Sequence, residues 1–284
     1  MIKWLFILLE KGGCRVITMW EIGTIHIYWY GITVSFSIIV GMVITWLNVV
    51  KRKENFSVII DMLLCTIPAG IVCSRVIYVF FHWPEFSYNI YNIVMLNKGG
   101  MSVYGAFAGL LLGTLVYTYV SDRDFWFWLD VLTPGMIAGL MVNQIGNFCM
   151  QNTIGSPFPI SVSSNHALAV YLQFKQRPAG FENYLYYRPV ALYQAGALGI
   201  ILLYSIALTY MQVIYNKISY GTIFLSAIIL ATGCRFYFGF MYLSTHIDIS
   251  LHTGQYIALL IMAACGIIYY YRKKKIRNKN TYHY

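Results

Sequence analysis

Seven apolar stretches divide this chain, and they constrain its fold more than any other feature of the sequence. A stretch of about 20 apolar residues is long enough to cross a bilayer as a helix, which satisfies its backbone hydrogen bonds internally. Only 11% of the 284 residues are charged, too few to cover a soluble globule with polar surface. We therefore predict an all-α integral membrane protein. Its seven transmembrane helices are expected near residues 27–50, 57–81, 101–120, 125–149, 189–214, 219–244 and 252–271.

The positions of the basic residues predict how these spans are oriented. Clusters at 51–53, at Arg123 and at 272–279 follow odd-numbered spans, whereas the loops after even-numbered spans hold fewer basic residues. By the positive-inside rule the odd spans end in the cytoplasm, so the N-terminus is outside and the C-terminus is cytoplasmic. The net charge of +10 does not indicate nucleic-acid binding, because such clusters set topology or contact anionic lipid headgroups. We expect a leader (1–26), a single membrane domain (27–271) and a basic cytoplasmic tail (272–284).

A run of amides and glycines, MVNQIGNFCMQNTIGSP at 141–157, ends the fourth predicted span. Such residues are unfavourable at membrane depth unless they are buried against protein or line a wet cavity. The predicted periplasmic or extracellular loop that follows, near 150–188, is long enough to be functional. This run is therefore the clearest indication of where the protein handles a polar ligand.

Four charged residues, Asp61, Arg75, Asp130 and Arg235, lie inside predicted spans. The aspartates fit either a helix-start carboxylate or a functional group. The arginines fit either bidentate binding of a phosphate or an ion pair with one of the aspartates. The histidines and the six scattered cysteines have no metal-ligand spacing, so we predict neither a metal site nor a cofactor.

A series of short motifs follows a characteristic order along the chain. They are IYWYG at 27–31, SRVIYV at 74–79, GGMSVYG at 99–105, FW and LD within 125–130, IGNF at 145–148 with Gly155, RPVALY at 188–193 and GCRF at 233–236. Over roughly residues 20–245 this series resembles the prolipoprotein diacylglyceryl transferases of bacteria. The resemblance implies that family's fold, a place in the bacterial inner membrane and a role in lipoprotein biosynthesis.

The resemblance also implies a reaction and its partners. The family transfers a diacylglyceryl group from the phospholipid phosphatidylglycerol to the thiol of the lipobox cysteine of a prolipoprotein. By position, the implied catalytic residues are Arg235, Tyr104 and Asn147. The implied substrate-binding residues are Tyr30, Arg75, Gly100, Gln144, Asn152, Gly155 and Tyr193. In this interpretation the two arginines bind the phosphate, Asn147 places the headgroup, and Tyr104 lies near the thiol or the leaving oxygen.

This chain carries neutral residues at several positions where the family has charged or titratable ones. They are Tyr104 for a histidine, Gln144 for an arginine, Asn152 and Gln194 for acidic residues, Gly239 for a glutamate and Tyr242 for an arginine. Two alternatives to the family reaction therefore stay open. One is transfer to another acceptor or from another lipid. The other is a non-catalytic relative that binds lipid or peptide, as a partner subunit of another membrane protein.

Overall fold

The computed structural model describes residues 19–22, 25–86, 91–94, 100–151, 153, 155–158, 169–172, 177, 180–216, 218–242 and 253–281. Within them, seven helices are long and apolar enough to cross a membrane, which confirms the predicted all-α membrane architecture. The elements in chain order are β1 (Met19–Ile22), β2 (Ile25–Tyr28), α1 (Trp29–Lys51), α2 (Ser57–Phe81), α3 (Trp83–Phe86), α4 (Tyr91–Val94), α5 (Val103–Val120), α6 (Phe125–Cys149), β3 (Val170–Tyr171), β4 (Tyr186–Tyr187), α7 (Val190–Tyr215), α8 (Thr222–Gly239) and α9 (Thr253–Thr281).

Two small antiparallel hairpins add to the helices. β1 pairs with β2 so that Met19 lies opposite Tyr28, and β3 pairs with β4 so that Val170 lies opposite Tyr187. The sequence did not indicate either hairpin, because two- to four-residue strands carry too little alternation to be recognised. The last helix also continues through the basic segment at 272–279 and ends at Thr281.

The chain forms two compact units, which we call the core unit and the glycine unit. The core unit comprises the described residues of Met1–Ile44, Thr133–Ile218 and Thr222–Tyr284. The glycine unit comprises those of Thr45–Leu132 and Ser219–Gly221.

Close packing of α2 against α5 forms the centre of the glycine unit. A Cβ atom at Gly109 would overlap the carbonyl oxygen of Ala69, and one at Gly113 would lie 2.7 Å from Cα of Thr66. Gly105 faces the same helix one turn earlier. The four-residue spacing of these glycines therefore brings the two backbones together, as small residues commonly do between membrane helices.

Buried polar groups fix the first turns of α6 within the glycine unit. The carboxylate of Asp130 is fully buried and accepts the backbone N–H of Gly221 at 2.8 Å. Asn48 donates its Nδ2 to the carbonyl oxygen of Val131 at 2.8 Å, and its Oδ1 accepts Nε of Arg52 at 3.3 Å. Burial lowers the pKa of the Arg52 guanidinium, and the nearby Asp130 carboxylate opposes that shift. Asp130 thus has a structural partner, which favours the structural interpretation of this residue.

Small residues and an apolar cluster hold the core unit together. A Cβ atom at Gly41 of α1 would lie 2.9 Å from the carbonyl oxygen of Gly135 of α6, so α1 and α6 also cross closely. Farther along α6, apolar side chains pack against α7 and α8. The buried members of this cluster are Ile137, Leu198, Ile201 and Ala227. This packing positions the C-terminal end of α6 and the N-terminal end of α7.

Candidate functional site

A chain of hydrogen-bonded carboxamides joins the end of α6 to the start of α7 within the core unit. Asn147 donates its Nδ2 to Oε1 of Gln144 at 3.0 Å, because residues three apart on a helix face the same side. Gln144 in turn donates its Nε2 to Oε1 of Gln194 at 2.7 Å. The structure therefore brings together two predicted site residues, Asn147 and Gln144, and adds Gln194, which the sequence marked only as a departure from the family.

Three buried side-chain atoms at this place have no hydrogen-bond partner within the described part of the chain. They are Oδ1 of Asn143, Oγ1 of Thr153 and Nε2 of Gln194. Buried polar atoms are almost always paired, and each unpaired one costs about 1–3 kcal/mol. No other buried side-chain nitrogen or oxygen in the described residues lacks a partner. The unpaired atoms thus fall on the amide-rich run that the sequence singled out and on the glutamine bonded to it.

Gly155 is held where the chain leaves this run. Its N–H donates to the carbonyl oxygen of Arg188 at 3.1 Å, and it forms an isolated antiparallel bridge with Tyr242. A Cβ atom at this position would lie 2.5 Å from Cγ2 of Val190, so only glycine fits without a shift of the neighbouring backbone or side chain. The predicted role of Gly155 in binding substrate stays a prediction, and its packing supplies a structural reason for the glycine.

Arg235 lies on α8, and an aromatic contact connects its surroundings to α7. The ring of Tyr193 stacks on that of Phe238 with centroids 6.5 Å apart. Arg235 precedes Phe238 by three residues, so both lie on the same side of the helix, and the arginine side chain is exposed. Tyr193 adjoins Gln194, so the segment of α8 that carries Arg235 packs beside the segment of α7 that carries Gln194.

Arg75 lies in the glycine unit and contacts backbone carbonyls there. Its Nε donates to the carbonyl oxygen of Ile93 and its Nη1 to that of Gly100, each at 2.9 Å. The guanidinium also stacks over the Phe86 ring at 5.2 Å, and the side chain is only 6% exposed. The sequence predicted a phosphate ligand or an ion pair at this position, and it could not indicate carbonyl partners in a separate segment.

Arg75 contributes to an arrangement that fixes the start of α5, where Tyr104 lies. Gly100 adopts a φ of 79°, and a Cβ atom there would overlap the ring of Tyr78, so a glycine is required. Ser102 caps α5 and donates its backbone N–H to the carbonyl oxygen of Ser74 at 3.1 Å. Tyr104 follows in the first turn of the helix and is half-buried.

Hydrogen bonds within 177–187 order the described part of the loop after the amide-rich run. Arg177 donates Nη1 to the carbonyl oxygen of Glu182 at 2.6 Å, and the hydroxyl of Tyr187 donates to that of Phe181 at 2.9 Å. Burial raises the pKa of the Tyr187 phenol. The pKa of the Glu182 carboxyl is lowered, because the backbone N–H groups of Glu182 and Gly180 donate to the carboxylate.

The structure leaves two predicted site residues without a side-chain account. Asn152 lies outside the described residues, and Tyr30 is in the first turn of α1 with its side chain outside them. Across the described ranges, no group of three or more His, Cys, Asp or Glu side chains could hold a metal ion.

Comparisons with known proteins agree with this arrangement of helices and motifs. Residues 17–271 match the family model described as prolipoprotein diacylglyceryl transferase. A relative named phosphatidylglycerol–prolipoprotein diacylglyceryl transferase, from Listeria monocytogenes serotype 4b, is 29% identical over 257 residues, which are 89% of each chain. Relatives of the same name from Lactobacillus acidophilus and Synechocystis sp. are 26% and 32% identical, over 91% and 62% of this chain and 90% and 60% of their own.

Proposed function

Because this chain belongs to the prolipoprotein diacylglyceryl transferase family, we propose that it transfers a diacylglyceryl group from phosphatidylglycerol to a prolipoprotein. The protein is a transferase of lipoprotein biosynthesis and a multi-pass protein of the bacterial inner membrane. Its substrates are the phospholipid and the precursor protein, as the names of its relatives state.

The reaction exchanges one bond to a glycerol carbon for another. The lipobox cysteine releases its thiol proton to solvent, and the thiolate attacks the diacylglycerol carbon that carries the phosphate oxygen. A carbon–sulfur bond forms while the carbon–oxygen bond breaks, and glycerol phosphate leaves with the electron pair. The site must therefore hold a headgroup that carries both hydroxyls and an anionic phosphate, and it must stabilise charge on the leaving oxygen.

The unpaired buried atoms around the carboxamide chain are the observation that carries this proposal. Nε2 of Gln194 is a donor and suits a phosphate or hydroxyl oxygen, whereas Oδ1 of Asn143 is an acceptor and suits a hydroxyl. Phosphatidylglycerol offers both kinds of group in one headgroup. We assign headgroup placement to Asn147 and Gln144, and binding of the phosphate to Arg235. The predicted role of Tyr104 near the thiol or leaving oxygen stays part of the proposal, and Arg75 is better explained as support for the turn before α5.

The distribution of basic residues supports an orientation with the N-terminus outside and the C-terminus in the cytoplasm. A cysteine-reactive, membrane-impermeant reagent tests this orientation on a variant in which the six native cysteines are replaced by serine and one cysteine is added at position 284. Labelling is expected in inverted vesicles and not in intact spheroplasts. The reverse pattern would overturn the orientation and leave the proposed reaction untouched.

A second candidate function rests on the neutral pair Gln144 and Gln194. A carboxamide cannot supply the charge-assisted hydrogen bonds of an arginine or a carboxylate, which contribute about 1.5–3 kcal/mol each. A site with this pair could bind a phospholipid or a peptide without turnover, or could use a different acceptor. Such a protein would retain lipid when purified and would leave a lipobox peptide unchanged.

A reconstituted assay separates the two functions. The purified protein is incubated in phosphatidylglycerol vesicles with a lipobox peptide, and the peptide mass is measured. We expect a gain of one diacylglyceryl group, no gain for the peptide with cysteine replaced by serine, and no gain with Arg235→Ala. An unchanged peptide mass with the wild-type protein would overturn the proposed transfer. Phosphatidylglycerol retained by that inactive protein, detected by native mass spectrometry, would then support the binding function.

A further inference from the structure

The carboxamide chain has a direction. Gln144 uses both ends of its side chain, since its Nε2 donates to Gln194 at 2.7 Å and its Oε1 accepts from Asn147 at 3.0 Å. The donor and acceptor of a carboxamide lie on opposite sides of the group. Turning one member by 180° would therefore place two donors or two acceptors against each other at the next contact.

Gln194 is the member that joins the two carboxamides of α6 to another helix, α7. Because its Oε1 faces Gln144, the amide nitrogen of Gln144 must face Gln194 and its oxygen must face Asn147. Asn147 then presents Nδ2 to Gln144, which turns its Oδ1 away from the chain. The orientation of the Asn147 carboxamide is thus coupled, through Gln144, to that of Gln194 on another helix.

The burial of Gln194 is difficult to explain by stability alone. The side chain is 4% exposed, and its Nε2 has no partner among the described residues. The hydrogen bond to Gln144 accounts for the Oε1 atom of this side chain, because without it Nε2 of Gln144 would lack its acceptor. That bond does not account for the second polar atom, the unpaired Nε2.

We propose that Gln194 is a positioning residue that acts through Gln144 to orient the carboxamide of Asn147 toward the donor headgroup. The inference rests on the proposed function, in which Asn147 places the headgroup of phosphatidylglycerol. In orienting Asn147, Gln194 and Gln144 act as one unit, so for this effect loss of either has the same consequence as loss of both.

A double-mutant cycle with Gln144→Met and Gln194→Met tests this unit, because methionine keeps the length of the side chain and removes its polar atoms. Each single variant is expected to raise KM for phosphatidylglycerol by about five- to a hundredfold, the effect of one buried polar contact. The double variant is expected to match the single variants within about twofold, as required for residues that act through one another. Asn147→Ala should also raise KM for phosphatidylglycerol. In all four variants we expect kcat to change less than KM.

Gln212→Met is the matched control. Gln212 is 3% exposed on the same helix, α7, and its Nε2 donates to the carbonyl oxygen of Ile218, away from the carboxamide chain. This variant is expected to lower thermal stability while leaving KM for phosphatidylglycerol unchanged. A structural role of Gln194 would produce the same pattern as this control, namely a lower folded fraction and an unaltered KM.

Several outcomes would overturn the inference. Multiplicative effects of the two single variants in the double variant would show that the residues act independently. An unchanged KM in Gln194→Met, or failure of both Gln194→Met and Gln194→Leu to fold, would show a structural role. If the wild-type protein shows no turnover, the proposed function fails, and the cycle is measured on retained phosphatidylglycerol instead. If the double variant then loses no more phosphatidylglycerol than either single variant, the result supports the inference. Additive losses in the double variant, or no phosphatidylglycerol retained by the wild-type protein, would overturn it.

Discussion

The start of α5 in the glycine unit and the end of α6 in the core unit contain similar residues, but their hydrogen bonding differs. Both have glycines and polar side chains at the end of a membrane-spanning helix. At the start of α5, Arg75 and Ser102 donate to backbone carbonyls, and Gly100 provides a turn that only glycine accommodates. At the end of α6, the carboxamides bond to one another and leave buried atoms without a partner. The unpaired buried atoms therefore distinguish the end of α6, as a candidate binding site, from the structural arrangement at the start of α5.

Replacement of Arg75 is expected to have the largest effect on stability and tests this comparison most directly. Arg75→Met removes two hydrogen bonds from a charged group to the carbonyls of Ile93 and Gly100, each contributing about 1.5–3 kcal/mol. Thermal unfolding in detergent should show a large drop in midpoint, with Arg75→Lys intermediate. An unchanged midpoint together with a lost reaction would instead indicate that Arg75 binds the phosphate, and the contrast between the two regions would disappear.

Replacement of Gly109 tests the close packing of α2 and α5. A Cβ atom at Gly109 would overlap the backbone of Ala69, whereas one at Gly196 of α7 would have no atom within 4 Å. Gly109→Ala is expected to destabilise by about 1–3 kcal/mol, as overpacked sites do. Gly196→Ala, the matched control, should be neutral or stabilise by up to about 1 kcal/mol, because alanine restricts the unfolded chain. Equal effects of the two variants on thermal unfolding would contradict the packing described for these helices.

The apolar stretches were sufficient to predict the seven spanning helices, since length and hydropathy are local properties of the sequence. The partners of the polar residues could not be predicted, because they depend on contacts between distant segments. Gln144 and Asn147 are visible as neighbours on one helix face, but Gln194 lies 50 residues beyond Gln144. Likewise, the carbonyl partners of Arg75 lie 18 and 25 residues away, in segments without a recognisable pattern.

A charged pair in place of Gln144 and Gln194 tests whether these two side chains are in contact. Gln194→Glu alone would place an unpaired charge at a buried position, and Gln144→Arg alone would place one at a half-buried position, so each should lower stability. The double variant pairs the two charges, and we expect an interaction energy of about 0.5–3 kcal/mol between the substitutions. Thermal unfolding of the four proteins in neutral detergent measures it, because no anionic lipid then competes for the arginine. Strict additivity would show that the two side chains are not in contact, contrary to the 2.7 Å hydrogen bond.

The smallest expected effect concerns Glu182, whose hydrogen bonds are satisfied at the protein surface. Backbone N–H groups of Glu182 and Gly180 lower the pKa of this carboxyl below its usual value of about 4.3. A carboxyl with a lowered pKa contributes stability above the unfolded-state value, and that contribution is lost as pH falls through the folded-state pKa. Hydrogen exchange of 180–187 should therefore speed up below about pH 4 relative to the trend of the other loops, and Glu182→Gln should abolish this dependence. If Glu182→Gln leaves the acid-induced change intact, another group controls it. An effect confined to this segment would show that satisfied polar groups at the surface order only their own turn, unlike the buried ones at Arg75.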